Sequence, residues 1–445
     1  MPSGRHQEAV RGRVSDLSVI EESISILQDP PDGKDSVNMD IDPQKMARYV
    51  EELGKLGELP DGGMTRFQYD AAWAQAQDLV ARWMREAGLR VRRDAVGNVF
   101  GRLPGADDSS TILTGSHIDT VPEGGKYDGA LGVLAGLAAL EALAARGERP
   151  RTSLEVVSLC EEESSRYQAN FFGSRAMLGL VGPDEPATLK DADGVSMAEA
   201  MTAVGLDPSA VATAKRDDIA AFVELHIEQG KVLETAGTDV GVVEVITGLV
   251  WEEVVVTGRQ DHAGGTPMDA RLDAVQAAAE ISTAITRHVA EADKAGRVTF
   301  GRWDVRPGWP SIVPGEVVFS MDLRHTVAED LRARADEAHR IAATIAAGRG
   351  VEVTFERLKD ETPTVMDARL REVLTQAAAD RGATSMDLPS GAGHDSQLMG
   401  EHVPTAMLFV PSVEGRSHCK EEYTRPEDCV RGASVLATAL HRLAF

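Results

Sequence analysis

The order in which helical and β-rich segments follow one another constrains this 445-residue chain more than any other feature. From Pro43 the pattern is helical, through "PQKMARYVEELGKLGEL" and "YDAAWAQAQDLVARWMREAGL". After that, "RVRRDAVGNVFGRL" and "STILTGSHID" read as strands. "LGVLAGLAALEALAARG" reads as a long Ala/Leu helix closed by glycine, and "TSLEVVSLC" as another strand. Strands alternating with helices in this way predict a mostly parallel sheet with helices on both faces.

A second block begins near Ile246. "LVWEEVVVTG", a helix from about Asp273 to Ala295, "RVTFGRWDV", "IVPGEVVFSMDLR", a helix over 328–348 and "VEVTFERL" follow in β-α-β-β-α-β order. That is the order of a ferredoxin-like sandwich. From about Pro363 the first kind of alternation returns. The expectation is an α/β domain split over 43–245 and 361–445, with a smaller α+β domain inserted at 246–360. Residues 1–42 are expected to be a peripheral extension, and the Pro/Gly/Asp-rich "DPPDGKDSVNMD" within them a flexible connection.

A chain this long exceeds one ordinary core, in keeping with two domains. Its formal net charge of −25 offers no basic surface to neutralise phosphates, which argues against a nucleic-acid partner. No run of about 18 apolar residues and no apolar signal region occurs, so no membrane partner is expected. Cys160, Cys419 and Cys429 cannot build a disulfide framework and fit no zinc ribbon. A reducing, cytoplasmic compartment is the expectation.

Several chemically able side chains fall at the ends of these elements. His117 and Asp119 follow the strand "STILTG" at its C-terminal end, where open α/β sheets place their chemistry. Asp128 lies in the Gly-rich "GSHIDTVPEGGKYDGALG". The strand "LEVVSLC" runs into Glu161, Glu162 and Glu163, three acids that repel one another unless a cation sits among them. "ELHIEQG" adds His226 and "GRSHCKEEYT" adds His418. Histidines and carboxylates with no competing cysteine set are ligand chemistry for zinc, cobalt or manganese in a hydrolytic site.

Eight segments in chain order resemble the M20 metallopeptidase family, and within it the amidase branch of N-carbamoyl-L-amino acid hydrolases, β-ureidopropionases and allantoate amidohydrolases. They are "GSHIDTVPEGGKYDGALGV", "CEEESSRY", "FFGSRAMLG", "ELHIEQGKVLE", "DHAGGTPMDARLDA", "VPGEVVFSMDLR", "SGAGHDSQ" and "GRSHCKEEYT". The resemblance implies two divalent metal ions per subunit. His117, Asp128 and His226 would hold one, and Asp128, Glu163 and His418 the other, with Asp128 as the bridge. It implies Asp119 orienting His117 and Glu162 as general base. His262 would reach the partner's site in a homodimer and stabilise the oxyanion. Arg324 would clamp a substrate carboxylate, with Gln229, backbone around Gly393 and the position of Ser311 also touching substrate. His394 and Asp395 are expected to support the site from behind. The inserted domain would then serve as a lid and dimerisation domain.

Three positions depart from the family pattern. Ser164 stands where glycine is usual after the paired glutamates, and Cys419–Lys420 where proline usually occupies the second place. Ser311, after Trp309 and Pro310, replaces an asparagine that touches substrate; its shorter side chain cannot span the same hydrogen bond, so it is expected to shift substrate preference. Cys419 is expected to be a plain buried thiol. The function implied is hydrolysis of the C–N bond of a small N-carbamoyl amino acid or related carboxylate such as allantoate. An M20 aminoacylase or dipeptidase is the alternative, disfavoured by the wording of "HIEQG" and "HAGGTPM".

Overall fold

The structure, a computed structural model, describes residues 39–445. Most of the expected flexible connection therefore lies outside the described residues. Met39 and Ile41 are already buried in the main core. Helix α1 (Pro43–Leu53) starts where Asp42 accepts from the amides of Gln44 and Lys45, with proline at the first helical position. Helix α2 (Ala71–Glu86) is capped in the same way by Asp70.

Strands β1 (Arg90–Arg93) and β2 (Val99–Leu103) form a hairpin where the sequence suggests one strand. The Asp94 carboxylate accepts from the amides of Val96 and Asn98 and from the Asn98 side chain, closing a turn inside the apolar run. Strands β3 (Asp107–His117), β4 (Thr152–Leu159), β5 (Ile219–Ile227) and β6 (Val240–Ile246) follow. Between β3 and β4 runs α3 (Ala130–Ala145). It is apolar nearly all round and buried nearly all round, packed between the sheet and the last helix of the chain.

The chain then leaves this sheet. Strands β7 (Gly248–Thr257), β8 (Asp261–His262), β9 (Arg297–Thr299), β10 (Trp303–Arg306), β11 (Ile312–Val313), β12 (Glu316–His325) and β13 (Glu352–Glu361) belong to the stretch expected as β-α-β-β-α-β. An antiparallel sheet of order β10-β12-β7-β13, with β9 continuing the β10 row along β12, carries helices α4 (Ala274–Ala292) and α5 (Ala328–Arg349). Val254, Val256, Phe319, Met321, Ile281 and Ala338 are among the residues of its own apolar core. Two details differ from expectation. "RVTFGRWDV" is broken between Thr299 and Trp303. "IVPGEVVFSMDLR" splits at Pro314–Gly315, because proline cannot donate to a ladder, and β11 turns away to pair with β8 as a short arm.

Returning, the chain adds β14 (Thr364–Val365), α6 (Ala368–Asp380), β15 (Ser385–Ser390), β16 (Thr405–Val410) and α7 (Pro426–Ala444). The first sheet has the order β1-β2-β4-β3-β5-β16-β6-β14, with β15 also on β6. Its four central strands β4-β3-β5-β16 are parallel, while β2 and β6 flank them antiparallel. The parallel strands end on one edge, where His117 closes β3 and His226 stands next to the end of β5.

Gly115 holds β3 against β4 two residues before His117. Its φ is 138°, and an added Cβ would lie 2.0 Å from the carbonyl oxygen of Val157 and 2.8 Å from its nitrogen. These are backbone atoms of the paired strand, so no side chain can swing aside. Gly115→Ala is expected to cost about 3 kcal/mol or more in denaturant unfolding; a loss below about 1 kcal/mol would contradict this packing.

Candidate metal centre

Five side chains from four segments meet at the C-terminal edge of the parallel strands. His117, Asp128 and His226 form one group and Asp128, Glu163 and His418 another, each with one donor atom per residue within 4.8 Å of the others. Asp128 belongs to both, and its two oxygens face different ways. Oδ1 lies 3.3 Å from His226 Nε2 and 3.8 Å from His117 Nε2, while Oδ2 lies 3.4 Å from His418 Nε2. Glu163 Oε1 is 3.6 Å from the same His418 nitrogen. Glu162 reaches within 3.6 Å of His117 Nε2 from the side.

Backbone carbonyls orient two of the imidazoles. His117 Nδ1 pairs with the Asp119 carbonyl at 3.0 Å and His226 Nδ1 with the Ile227 carbonyl at 2.9 Å, which turns both Nε2 atoms towards Asp128. Asp119 thus touches His117 chiefly through its main chain, while its carboxylate accepts the amide of Glu163 at 3.1 Å. The Gly-rich segment is explained by close approach. Gly129 has φ 61°, and a Cβ there would lie 2.2 Å from His117 Nε2.

The electrostatics call for a cation. Burial raises Glu162 well above the usual carboxylate range against the pull of His117, and Glu163, Asp395 and Asp119 push it further. Burial and Asp128 push Glu163 up to about 7. Burial opposes charging His117, yet the surrounding Glu162, Asp119 and Glu163 hold its proton well above the ordinary histidine range. The hydrogen bond to Asp128, with Glu163 nearby, raises His418 to about 9. Protons are retained here because the carboxylates are buried and crowded against one another. Glu163 Oε1 and Asp119 Oδ1 are buried with no hydrogen-bond partner, an arrangement that is costly for carboxylates unless something else coordinates them. The mixed imidazole and carboxylate donors fit a divalent ion such as zinc, manganese or cobalt.

Two supporting residues escaped the sequence reading. Ser417 Oγ lies 2.6 Å from Asp128 Oδ2 and 2.8 Å from Glu422 Oε2, and Glu422 Oε1 accepts the amides of Tyr127 and Asp128 at 2.9 and 3.0 Å. Both flank His418 in "GRSHCKEEYT", which was their only signal. Gln229, expected at the substrate, donates its side-chain amide to Asp128 Oδ2 at 2.7 Å. His394 packs edge-on against His226 with ring centroids 4.5 Å apart and meets Ser390 Oγ at 2.9 Å; Asp395 accepts from Ser174. Glu161, Ser164, Gln229 and His418 all hold φ of 53–55°, backbone strain gathered at the site. Ser164 thus takes a left-handed conformation that glycine adopts most readily, and its hydroxyl accepts the Asn170 amide at 2.8 Å.

The remaining expected residues lie away from the metal donors. Arg324 on β12 donates to both oxygens of Asp322 and, across to the first sheet, to the carbonyl of Gly391, two residues before Gly393. His262 and Ser311 stand exposed on the β8–β11 arm. There the Ala263 amide donates to the Ser311 carbonyl, and His262 Nδ1 accepts from the amides of Gly264 and Gly265. No described contact joins either residue to the metal donors of its own chain. Cys419 is half-buried rather than buried, and Lys420 pairs with Asp61 at 3.1 Å.

The model of peptidase family M20/M25/M40 matches residues 113–442. The chain belongs to this family. It is 41% identical over 410 residues to the N-carbamoyl-L-amino acid amidohydrolase of Geobacillus stearothermophilus, covering 91% of this chain and 99% of that protein. It is 39% identical to the allantoate amidohydrolase of Bacillus subtilis (strain 168), covering 89% and 97%. Among solved structures, the hydantoinase/carbamoylase family amidase of Burkholderia multivorans superposes with a TM-score of 0.86 at 33% identity, over 91% and 98% of the two chains.

In this M20 chain Ser417 is the hydroxyl that meets the shared carboxylate. Ser417→Ala is expected to weaken divalent-metal binding by roughly 10- to 100-fold in a competition titration with a metallochromic chelator, with little loss of fold. Unchanged affinity would show that Gln229 and Glu422 hold Asp128 in place without the hydroxyl.

Proposed function

We propose that this M20 protein is a metal-dependent amidohydrolase that cleaves the C–N bond of a small N-carbamoyl amino acid, or of a related carboxylate such as allantoate. The observation that carries the reading is Asp128, buried and shared between two sets of metal donors, in a chain similar over nine-tenths of its length to enzymes named for those two substrates. His117, Asp128 and His226 hold one divalent ion, and Asp128, Glu163 and His418 a second. When bound, the ions polarise the attacked carbonyl and acidify water.

The chain's own groups do the rest. Glu162 takes a proton from water at its carboxylate and passes it to the leaving nitrogen. Its buried position raises its proton affinity, as a general base that becomes the acid requires. Arg324 pairs with the substrate's carboxylate, and Gln229 and backbone around Gly393 also touch the substrate. The inserted segment 246–360 acts as lid and dimerisation domain. His262 serves the partner subunit of a homodimer, stabilising the oxyanion. Its exposure, and the two backbone amides on Nδ1 that leave Nε2 to carry the outward proton, support that role. Ser311 beside it adjusts which substrate is preferred. Among the described residues no helix is long and apolar enough to cross a membrane. The three cysteines are unpaired, which supports a cytoplasmic enzyme.

Ammonia release from N-carbamoyl-L-amino acids and from allantoate, measured before and after dialysis against a chelator, tests the reading. Turnover of at least one, lost on chelation and restored by zinc, manganese or cobalt, is expected; full activity in metal-free protein would overturn it. Within that assay Glu162→Gln should cut the rate by about 100-fold or more with metal content unchanged, whereas Glu163→Gln should lower metal content. The opposite pattern would reverse the two roles.

A further inference from the structure

Arg324 has five N–H donors, and the structure assigns three. Nε and Nη2 donate to the two oxygens of Asp322 at 2.9 and 2.8 Å, and Nη1 donates to the Gly391 carbonyl at 2.6 Å. Asp322 and Arg324 stand two residues apart on β12, so both side chains leave one face of the sheet. The side chains are only 20% and 29% exposed, too enclosed for an ordinary surface pair. Gly391 opens the loop that carries Gly393 and His394, and His394 packs on the metal-donor candidate His226. The guanidinium plane is therefore held from two sides: by its strand neighbour, and by the loop next to the metal centre.

We propose that Asp322 is a positioning residue for the substrate clamp: it occupies the Nε/Nη2 side of the Arg324 fork and leaves the Nη1/Nη2 edge to take the substrate's carboxylate. The inference rests on Arg324 being that clamp. Two donors remain after Asp322 and Gly391 are satisfied, one on Nη1 and one on Nη2. That is the number a second, end-on bidentate carboxylate uses. The Asp322–Arg324 pair is formally neutral, so a carboxylate is selected by the direction of two N–H bonds rather than by net charge. A molecule with a neutral amide at that place keeps one carbonyl acceptor but loses the second acceptor oxygen and the charge that strengthens both bonds. An anion that presents its oxygens in another plane gains little. The substrate class that fits is a small ureido or amide compound with a planar carboxylate at a fixed distance from the scissile carbonyl.

Steady-state kinetics of the full-length, metal-loaded enzyme test this, with N-carbamoyl-L-alanine and allantoate as probes. Asp322→Asn keeps the side-chain shape but sets an NH2 group against the guanidinium. It should raise KM roughly 10-fold or more while kcat stays within about threefold and metal content and Tm hold. Asp322→Ala should do the same, and neither should add to the KM of Arg324→Ala when combined with it. A fall in KM would make Asp322 an internal competitor that substrate displaces, and an unchanged KM with a lowered Tm would make the pair structural; either overturns the proposal. If Arg324→Ala leaves KM unchanged, or the wild type turns over neither probe, the reading of the clamp or of the function fails first, and the positioning role with it.

Discussion

Everything at the edge of the parallel sheet depends on one buried carboxylate. Asp128 sits where two clusters of donors meet, one oxygen facing His117 and His226 and the other facing His418. Burial alone would push its proton affinity up, yet the surrounding histidines, His226 foremost, hold it well below the usual carboxylate range. Burial raises Glu163 and Glu422, and the negative charge of Asp128 raises them further. The same charge is aimed by three neighbours, Gln229, Ser417 and the amides tied by Glu422. A carboxylate held this firmly between two sets of imidazole and carboxylate donors suits divalent cations.

The fold serves that arrangement by separating two tasks. Parallel strands β4-β3-β5-β16 deliver donors from their ends with the stiffness of a buried sheet, and α3 locks behind them. The second sheet, inserted between β6 and β14, carries Arg324 on one strand and His262 on a short arm. Its contacts with the metal side include the Arg324–Gly391 hydrogen bond and the bond from Gln397 to Glu361. The second sheet thus packs around an apolar core of its own, distinct from the core behind the metal donors.

Much of this was legible in the sequence because it follows from period and punctuation. Strand–helix alternation gave the parallel centre, and the β-α-β-β-α-β order gave the second sheet. The donors were legible because each falls at a strand end or in a loop beside one. What stayed hidden was turn chemistry inside apolar runs. Asp94 folds one expected strand into a hairpin, and Pro314–Gly315 frees β11 to build the arm. Also hidden were contacts made across hundreds of residues: Ser417 and Glu422 meet Asp128 only because the loop before α7 returns to the segment that follows β3. Hidden too was the part played by Ser164, whose hydroxyl accepts the Asn170 amide and closes the turn after the glutamates.

The direct test of the central claim is the metal content of the purified protein, measured by plasma mass spectrometry after loading and desalting, for the wild type and for Asp128→Asn. If Asp128 is shared between two ions, the wild type retains two equivalents per chain and the variant retains close to none, while circular dichroism shows both folded. One equivalent in the wild type, or an Asp128→Asn protein that keeps its metal, would contradict a shared bridge.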